Sequence, residues 1–156
     1  MPIQRSTALQ PLSRQHHGGL LFCLLLKKGV RKNAPVGVMR DFVLDFWQKE
    51  LQQHFHLEEA ILEPFVTDME LKAPMQRMLR DHAQIREAIH LVDLQPSLLR
   101  IQQVQELVEE HIRFEERHLF QIMETSLSAD AMQAIGVQLA KAGEYNCNLY
   151  PVRFWE

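Results

Sequence analysis

The chain is short of the residues that mark several common classes of protein. Its two cysteines among 156 residues, Cys23 and Cys147, lie far apart and in no C-x-x-C pair, which argues against a disulfide framework and a thiolate zinc site. Its 17 basic residues are outnumbered by 20 acidic ones, so no basic field favours nucleic acid as a partner. We therefore expect a cytoplasmic protein that binds no nucleic acid.

No stretch of the chain is apolar for long enough to cross a bilayer. The most apolar run, Leu20 to Leu26, is far shorter than the roughly 20 residues that a membrane-spanning helix needs, and Lys27 and Lys28 follow it. The run also starts too late and lacks the cleavage pattern of a signal peptide. We interpret it as part of a buried helix and expect no membrane association.

What the chain does have is apolar residues at helical spacing. With 46% hydrophobic and 24% charged residues, it has an ordinary globular composition, and its length suits a single domain spanning 1–156. Apolar residues three and four apart predict an all-α fold. The expected long helices cover about 12–31, 36–62, 74–95 and 98–124, and a shorter fifth helix covers about 128–142, before a tail at 143–156. Because short connections join the long helices, we expect an antiparallel up-down-up-down four-helix bundle at about 12–124.

Residues with special backbone roles mark the expected helix ends. Asn33, Ser97 and Ser128 each precede an apolar periodic segment and are suited to cap its first turn. Gly18 and Gly19 fall inside the first helix, where each costs about 1 kcal/mol relative to alanine. Either another part of the chain approaches the backbone closely there, or the helix simply tolerates the two glycines.

The C-terminal tail is aromatic but shows no regular period. Tyr145, Tyr150, Phe154 and Trp155 supply apolar surface that requires cover. We expect the tail to fold back on the bundle, and a contact with a second copy in a homodimer is the alternative.

The pattern H-x-x-x-E occurs twice, as His54 with Glu58 and as His111 with Glu115. Residues four apart lie on one face of a helix, so each pair would aim an imidazole and a carboxylate at one point. Both pairs share their faces with apolar residues, and a carboxylate in such surroundings needs a proton or a cation. These neighbours are Val104, Val108, Phe114 and Leu119 in one helix and Trp47, Leu51, Leu57 and Ile61 in the other. Each motif alone is equally consistent with metal binding and with a buried hydrogen bond.

Two further histidines favour metal binding. His16 and His82 each follow an apolar residue four positions earlier and an amide or acid immediately before, as in two related hairpins. At about 1.5 Å per residue, each reaches nearly the same depth in its hairpin as the following H-x-x-x-E motif. His17 and His56 lack these neighbours at helical spacing. The six candidate metal-binding residues are His16, His54, Glu58, His82, His111 and Glu115.

Three other polar residues near these positions are expected to do less. Glu59 and Glu116 each follow a candidate ligand by one position, about 100° around the helix, so we expect them to face solvent or pair with basic side chains. Alanine at either position should then leave metal binding and stability unchanged. His118 lies two turns beyond His111, where it either lines a channel or supports a ligand, with surface packing as the alternative.

Together these positions resemble the hemerythrin-like family, also called the HHE cation-binding domain. The resemblance covers about 12–124 and rests on Gln15-His16, His54-x-x-x-Glu58-Glu59 followed by Ile61-Leu62-Glu63-Pro64, Asp81-His82-x-x-Ile85-Arg86, and His111-x-x-x-Glu115-Glu116 followed by Leu119-Phe120. It implies a centre of two non-haem iron ions inside a four-helix bundle, with the glutamates bridging the ions and the histidines as terminal ligands. Nitrogen and oxygen ligands without thiolate also suit manganese or zinc.

The chain departs from oxygen-carrying hemerythrins in its third helix. Those carriers place a second histidine four residues after the first, where this chain has Arg86. The pattern is similar instead to a subgroup with four histidines and two glutamates. If two six-coordinate ions share two bridging carboxylates and an oxo or hydroxo bridge, about two positions are left for a small ligand, one at each ion. Arg86 is expected either to stabilise a bound anion or to form an ordinary salt bridge.

The resemblance implies a protein that binds or reacts with a small molecule such as oxygen, peroxide or nitric oxide, in oxygen handling, sensing or the response to oxidative or nitrosative stress. A di-iron peroxidase or oxidase is one alternative, and a metal-stabilised helical interaction module without redox turnover is another. The sequence does not decide whether the protein is an enzyme, and it identifies no catalytic residue beyond the metal candidates.

Overall fold

The computed structural model describes residues 4–65, 67–141 and 149–156, and every regular element within these ranges is helical. The helices are α1 (Gln10–Arg31), α2 (Val36–Phe46), α3 (Gln52–Leu62), α4 (Lys72–Leu94), α5 (Leu98–Phe114), α6 (Phe120–Ser126) and α7 (Ala129–Leu139). Two π-helical turns, Trp47–Leu51 and Glu115–Leu119, join α2 to α3 and α5 to α6, and a 3-10 turn, Glu63–Phe65, follows α3. The predicted all-α fold is confirmed, and none of the described helices is both long and apolar enough to cross a bilayer.

Four helical rods form the bundle: α1, the continuous rod from α2 through α3, α4, and the continuous rod from α5 through α6. Helix α1 packs against α5 and α2, and α4 packs against α5, α2 and α3. Because the connections between successive rods are short, neighbouring rods run antiparallel. The predicted antiparallel bundle is therefore confirmed, with α7 as the short additional helix.

Two apolar clusters fill the interior at different depths. The larger cluster includes Phe22 and Val104, and the smaller one includes Leu12 and Met78. Along α1, Leu12 belongs to the smaller cluster and Phe22 to the larger, and the buried His16 lies between them. The buried histidines of the other three rods likewise lie between residues of the larger cluster and residues of the smaller one. The bundle therefore contains a polar layer between two apolar layers.

Two of the three expected helix caps are confirmed. Ser97 accepts a hydrogen bond from the backbone N–H of Arg100 at 3.2 Å, and Ser128 accepts one from Ala131 at 3.1 Å. The expectation for Asn33 is wrong: its φ is 55°, and it lies just beyond the end of α1. Asparagine tolerates this left-handed conformation better than most residues, so it ends one helix instead of capping the next.

Gly19 lies where two helices approach closely. A Cβ atom at this position would lie 2.6 Å from Ile112 Cδ1. The missing side chain therefore lets α1 and α5 meet beside the polar layer. Of the two expectations for the glycines of the first helix, close approach is confirmed for Gly19.

The described part of the tail folds back on the bundle. The rings of Tyr150 and Phe154 each lie 5.0 Å from that of Phe42, measured between centroids, and Trp155 is buried. A Cβ atom at Gly29 would lie 2.6 Å from the Phe154 ring, so this glycine accommodates the tail. Tyr145, Cys147 and Gly143 lie outside the described residues.

Candidate metal centre

All six candidate metal-binding residues lie in the polar layer of the bundle. His16 lies on α1, His54 and Glu58 on α3, His82 on α4, His111 on α5, and Glu115 at the start of the second π turn. Each residue is 4% exposed or less. The structure therefore brings together every member of the predicted set at a depth where an uncompensated charge is costly.

Glu58 lies between histidines from three rods. Its Oε1 is 2.8 Å from His54 Nε2 and 3.6 Å from His16 Nε2. Its Oε2 is 3.1 Å from His82 Nε2. The two oxygens of this carboxylate thus face different histidines, as a group shared between two ions would.

Glu115 repeats this arrangement from the opposite side of the layer. Its Oε2 is 2.9 Å from His16 Nε2, whereas its Oε1 is 3.0 Å from His111 Nε2 and 3.8 Å from His82 Nε2. Each glutamate therefore directs one oxygen toward the first pair of histidines, His16 and His54, and the other oxygen toward the second pair, His82 and His111. Within a pair, an oxygen contacts one histidine or both.

These contacts define two overlapping groups of ligand atoms. Within each group, all the ligand atoms lie within 4.8 Å of one another, and the two glutamates belong to both. Two ligand atoms about 2.1 Å from one ion and at right angles to each other are about 3 Å apart, which matches the closest N···O distances here. The layer is a candidate binuclear metal site. The groups are His16, His54, Glu58 and Glu115, and Glu58, His82, His111 and Glu115.

Hydrogen bonding inside the protein does not satisfy this layer. Within the described ranges, six of its buried atoms have no partner in hydrogen-bond geometry, even where a histidine and a carboxylate are close. Buried polar atoms left in this state are rare and costly. A set of aligned nitrogen and oxygen lone pairs is what a metal ion requires, so the residues present fit a metal. The six atoms are Nε2 of His16, His54 and His111, Oε1 of Glu58, and both carboxylate oxygens of Glu115.

In the first hairpin, formed by α1 and the rod from α2 through α3, each candidate histidine also forms a hydrogen bond through Nδ1, the ring nitrogen that faces away from the layer. Residues of neighbouring rods accept these hydrogen bonds. His16 Nδ1–H donates to Glu116 Oε1 at 2.8 Å, and His54 Nδ1–H donates to Gln15 Oε1 at 2.6 Å. Carboxylate and amide oxygens can only accept, so Nδ1 carries a hydrogen, and a ring that has lost its second proton would present an Nε2 lone pair to the layer.

The second hairpin repeats this support with equivalent residues. His82 Nδ1–H donates to Glu59 Oε1 at 2.8 Å, and His111 Nδ1–H donates to Asp81 Oδ2 at 3.2 Å. Such outer acceptors fix the ring orientation and raise the basicity of the nitrogen that faces a metal. Every candidate histidine is thus oriented in the same way.

The expectation for Glu59 and Glu116 was only half right. They do pair with basic side chains, since Glu59 Oε1 is 2.9 Å from Arg86 Nη2 and Glu116 Oε2 is 3.0 Å from Arg5 Nη2. They also accept the hydrogen bonds from the candidate histidines, which sequence reasoning missed. The signal was their position: a residue next to a ligand on a helix faces the neighbouring rod.

Other histidines lie outside the layer. His17, His56 and His118 are all exposed. The ring of His118 lies 6.1 Å from that of Phe114, which agrees with the alternative of surface packing for this residue. Arg86 forms the expected salt bridge with Glu59 and does not enter the layer.

The charge balance of the layer shifts the pKa values of its members in opposite directions. For His82, burial lowers the pKa, but the nearby Glu115 and Glu58 outweigh it and raise the pKa to about 10. For Glu115, burial and the charge of Glu58 raise the pKa, but His111 and His16 outweigh them and lower it to about 2. Without metal, the layer therefore carries both carboxylate charge and protons on its histidines near neutral pH.

Metal binding is expected to release protons. The raised pKa of His82 stabilises the metal-free fold below its ordinary value of 6.5, and this stabilisation is lost as pH rises toward about 10. The lowered pKa of Glu115 stabilises the fold above its ordinary value of 4.5, and this is lost as pH falls toward about 2. Metal-free protein should thus be most stable between about pH 4.5 and 6.5, whereas metal affinity should rise above that window. Calorimetric binding enthalpies that do not vary with the ionisation enthalpy of the buffer would contradict this.

A small cavity adjoins the layer beside His16, His54 and His111. Its volume is about 10 Å³, about the space that one water-sized molecule needs. Much of its wall is apolar, including Leu51 and Ile112. A ligand reaching the layer from this side would have to be very small.

Comparison with known proteins agrees with this geometry. The family model described as Hemerythrin HHE cation binding domain matches residues 8–123. No curated protein and no solved structure matches the chain. The matched range contains all six residues of the polar layer and their four outer acceptors.

Proposed function

Because the chain belongs to the hemerythrin HHE cation-binding domain family, we propose that it is a non-haem di-iron protein that binds or reacts with a small molecule such as oxygen, peroxide or nitric oxide. The observation that carries the proposal is the pair of shared carboxylates between two sets of histidines. Imidazole and carboxylate ligands without thiolate suit iron. Manganese or zinc would fit the same donor atoms, but they suit the proposed function less well than iron does.

The six residues of the polar layer would be of two kinds, bridging and terminal ligands. Glu58 and Glu115 would bridge the two ions, since each directs its two oxygens to different histidines. The four histidines would be terminal ligands through Nε2. An iron pair supplies electrons and open positions to a small oxidant or diatomic ligand. The surrounding apolar clusters keep bulk water away from it.

The cavity of about 10 Å³ has about the space of one water-sized molecule, which supports a very small ligand. It lies against histidines of both metal positions, namely His16 and His54 for one and His111 for the other. A larger organic substrate has no space in this cavity, which favours a diatomic molecule or peroxide over it.

Anaerobically reduced, iron-loaded protein is expected to change its absorption spectrum when oxygen, peroxide or nitric oxide is added. The physical reason is that a small ligand at the iron pair alters the charge-transfer bands of iron. Glu115→Ala protein, treated with the same amount of iron and then freed of unbound iron, serves as the control and should show a smaller change because it retains less iron. A wild-type spectrum that is identical before and after all three additions would exclude the proposed function.

A further inference from the structure

Arg5 lies outside the matched family range but reaches the edge of the candidate metal centre. Its Nη2 donates to the backbone oxygen of Glu116 at 2.6 Å and lies 3.0 Å from Glu116 Oε2. Its Nη1 pairs with Glu124, and its guanidinium carbon lies 5.4 Å from the centroid of the Phe120 ring. Only 6% of its side chain is exposed, so this guanidinium is fixed by two carboxylates in a poorly hydrated setting.

The segment that carries Arg5 is itself anchored to the bundle. The backbone N–H of Ser6 donates to Glu124 Oε2 at 3.2 Å, and Leu9 is fully buried in the smaller apolar cluster. Both attachments follow Arg5 directly along the chain and hold the segment that carries it against the bundle. Its position is therefore set by the fold of the N-terminal segment.

Glu116 needs this support because it borders solvent. Its side chain is 22% exposed and lines a surface groove of about 500 Å³. Water in the groove competes for the carboxylate, which Arg5 and the Ser13 hydroxyl, donating at 2.7 Å, hold in place. The same carboxylate accepts the hydrogen bond from His16 Nδ1. Arg5 thus acts on His16 through one intervening side chain.

The other hairpin has a weaker version of this chain of contacts. Arg86 Nη2 lies 2.9 Å from Glu59 Oε1, and Glu59 accepts the hydrogen bond from His82 Nδ1. The Arg86 side chain, however, is 41% exposed, and solvent screens an ion pair of this kind. The two metal positions therefore have equivalent ligands but unequal outer support.

We propose that Arg5 is a positioning residue that tunes one metal ion of the pair, the ion bound by His16 and His54, through its contact with Glu116. The inference rests on the proposed di-iron function and adds to it that the two ions differ. Removing Arg5 frees Glu116 to turn into the groove, which loosens the His16 ring and leaves the ligands of the other ion in place. Removing Arg86 acts on the opposite ion and more weakly.

The test compares Mössbauer spectra of iron-loaded wild type, Arg5→Ala and Arg86→Ala. In each variant one iron should keep the wild-type parameters while the other departs from them. We also expect iron at the affected position of Arg5→Ala to be lost to a chelator about tenfold faster, the lower end of the effect of removing an outer partner. Arg86→Ala should change the rate about twofold or less. Arg40→Ala, which removes a surface arginine paired with Asp41 and Asp93, is the control and should change neither quantity.

Three results would overturn the inference. The first is an Arg5→Ala protein with two irons and wild-type spectra and release rates. The second is an equal change at both irons, which indicates general structural damage. The third is a change at the same iron in Arg5→Ala and Arg86→Ala. If wild type fails to load two irons, the proposed function itself is wrong, and the inference falls with it.

Arg5→Lys keeps the test decisive if Arg5→Ala does not fold. Lysine retains the charge but cannot contact Glu116 and Glu124 with a rigid fork. A smaller change confined to one iron is then expected, and wild-type behaviour of Arg5→Lys would contradict a positioning role for the guanidinium.

Discussion

Alanine in place of Glu58 or Glu115 is expected to reduce the metal content from two ions per chain to less than one. Each carboxylate faces histidines of both candidate positions, so its removal takes a ligand from both ions at once. The stabilisation by bound metal should disappear with it, and this is worth about 3 to 4 kcal/mol when free metal exceeds the dissociation constant by 100- to 1,000-fold. Metal analysis and thermal unfolding with and without added metal measure both effects.

Glu106→Ala provides the matched control for this loss. Glu106 lies on α5, the helix that leads into Glu115, but its side chain is exposed. This variant should retain both ions and the full metal-dependent rise in unfolding temperature. If Glu115→Ala and Glu106→Ala bind metal equally well, Glu115 is not a ligand.

Alanine in place of Glu59 or Glu116 is expected to weaken metal binding by about 10- to 100-fold. This reverses the neutral effect expected from sequence, because each carboxylate accepts the Nδ1–H of a candidate histidine. Glutamine should cost less than alanine, since its amide oxygen can still accept, as Gln15 does for His54. Competition with a chelator of known affinity gives the change in dissociation constant.

Glu63→Ala is the control for these two variants. Glu63 lies four residues beyond Glu59 and is exposed in the 3-10 turn after α3. Its replacement should leave the dissociation constant within about twofold of wild type, as expected for a surface residue. If Glu59→Ala and Glu116→Ala behave like Glu63→Ala, the outer acceptors do not influence the metal.

The sequence was sufficient to group the residues of the polar layer because helical spacing and depth are regular. His54 and Glu58 had to share a face, and similar distances from the chain reversal put His16 at nearly their depth. Two glycines in the first helix raised the question of a close approach, and Ile112 beside Gly19 answers it. Local periodicity was thus sufficient to predict most of the bundle and the residues of the polar layer.

What the sequence could not supply depends on how the rods rotate against each other. Glu59 and Glu116 occupy positions that read as exposed on a single helix, but packing turns them toward histidines on other rods. Asparagine is suited both to begin a helix and to end one. In the short connection after α1, Asn33 has the left-handed conformation, which ends that helix. Arg5 gave no signal at all, because its partners are more than 100 residues away.

The two π turns also escaped prediction. Trp47–Leu51 ends shortly before His54, and Glu115–Leu119 begins at a candidate ligand. A π turn inserts an extra residue into a helix and shifts the faces that follow, and such turns are frequent at functional sites. Apolar spacing of three and four residues cannot distinguish this shift from a regular helix over so short a segment.

The number of metal ions that each chain binds tests the binuclear centre most directly. Titration of metal-free protein with ferrous iron under anaerobic conditions, followed by calorimetry and metal analysis, is expected to saturate at two ions per chain. We expect this stoichiometry because two carboxylates are shared between two groups of histidines in one buried layer. Saturation at one ion per chain, or no binding, would contradict it.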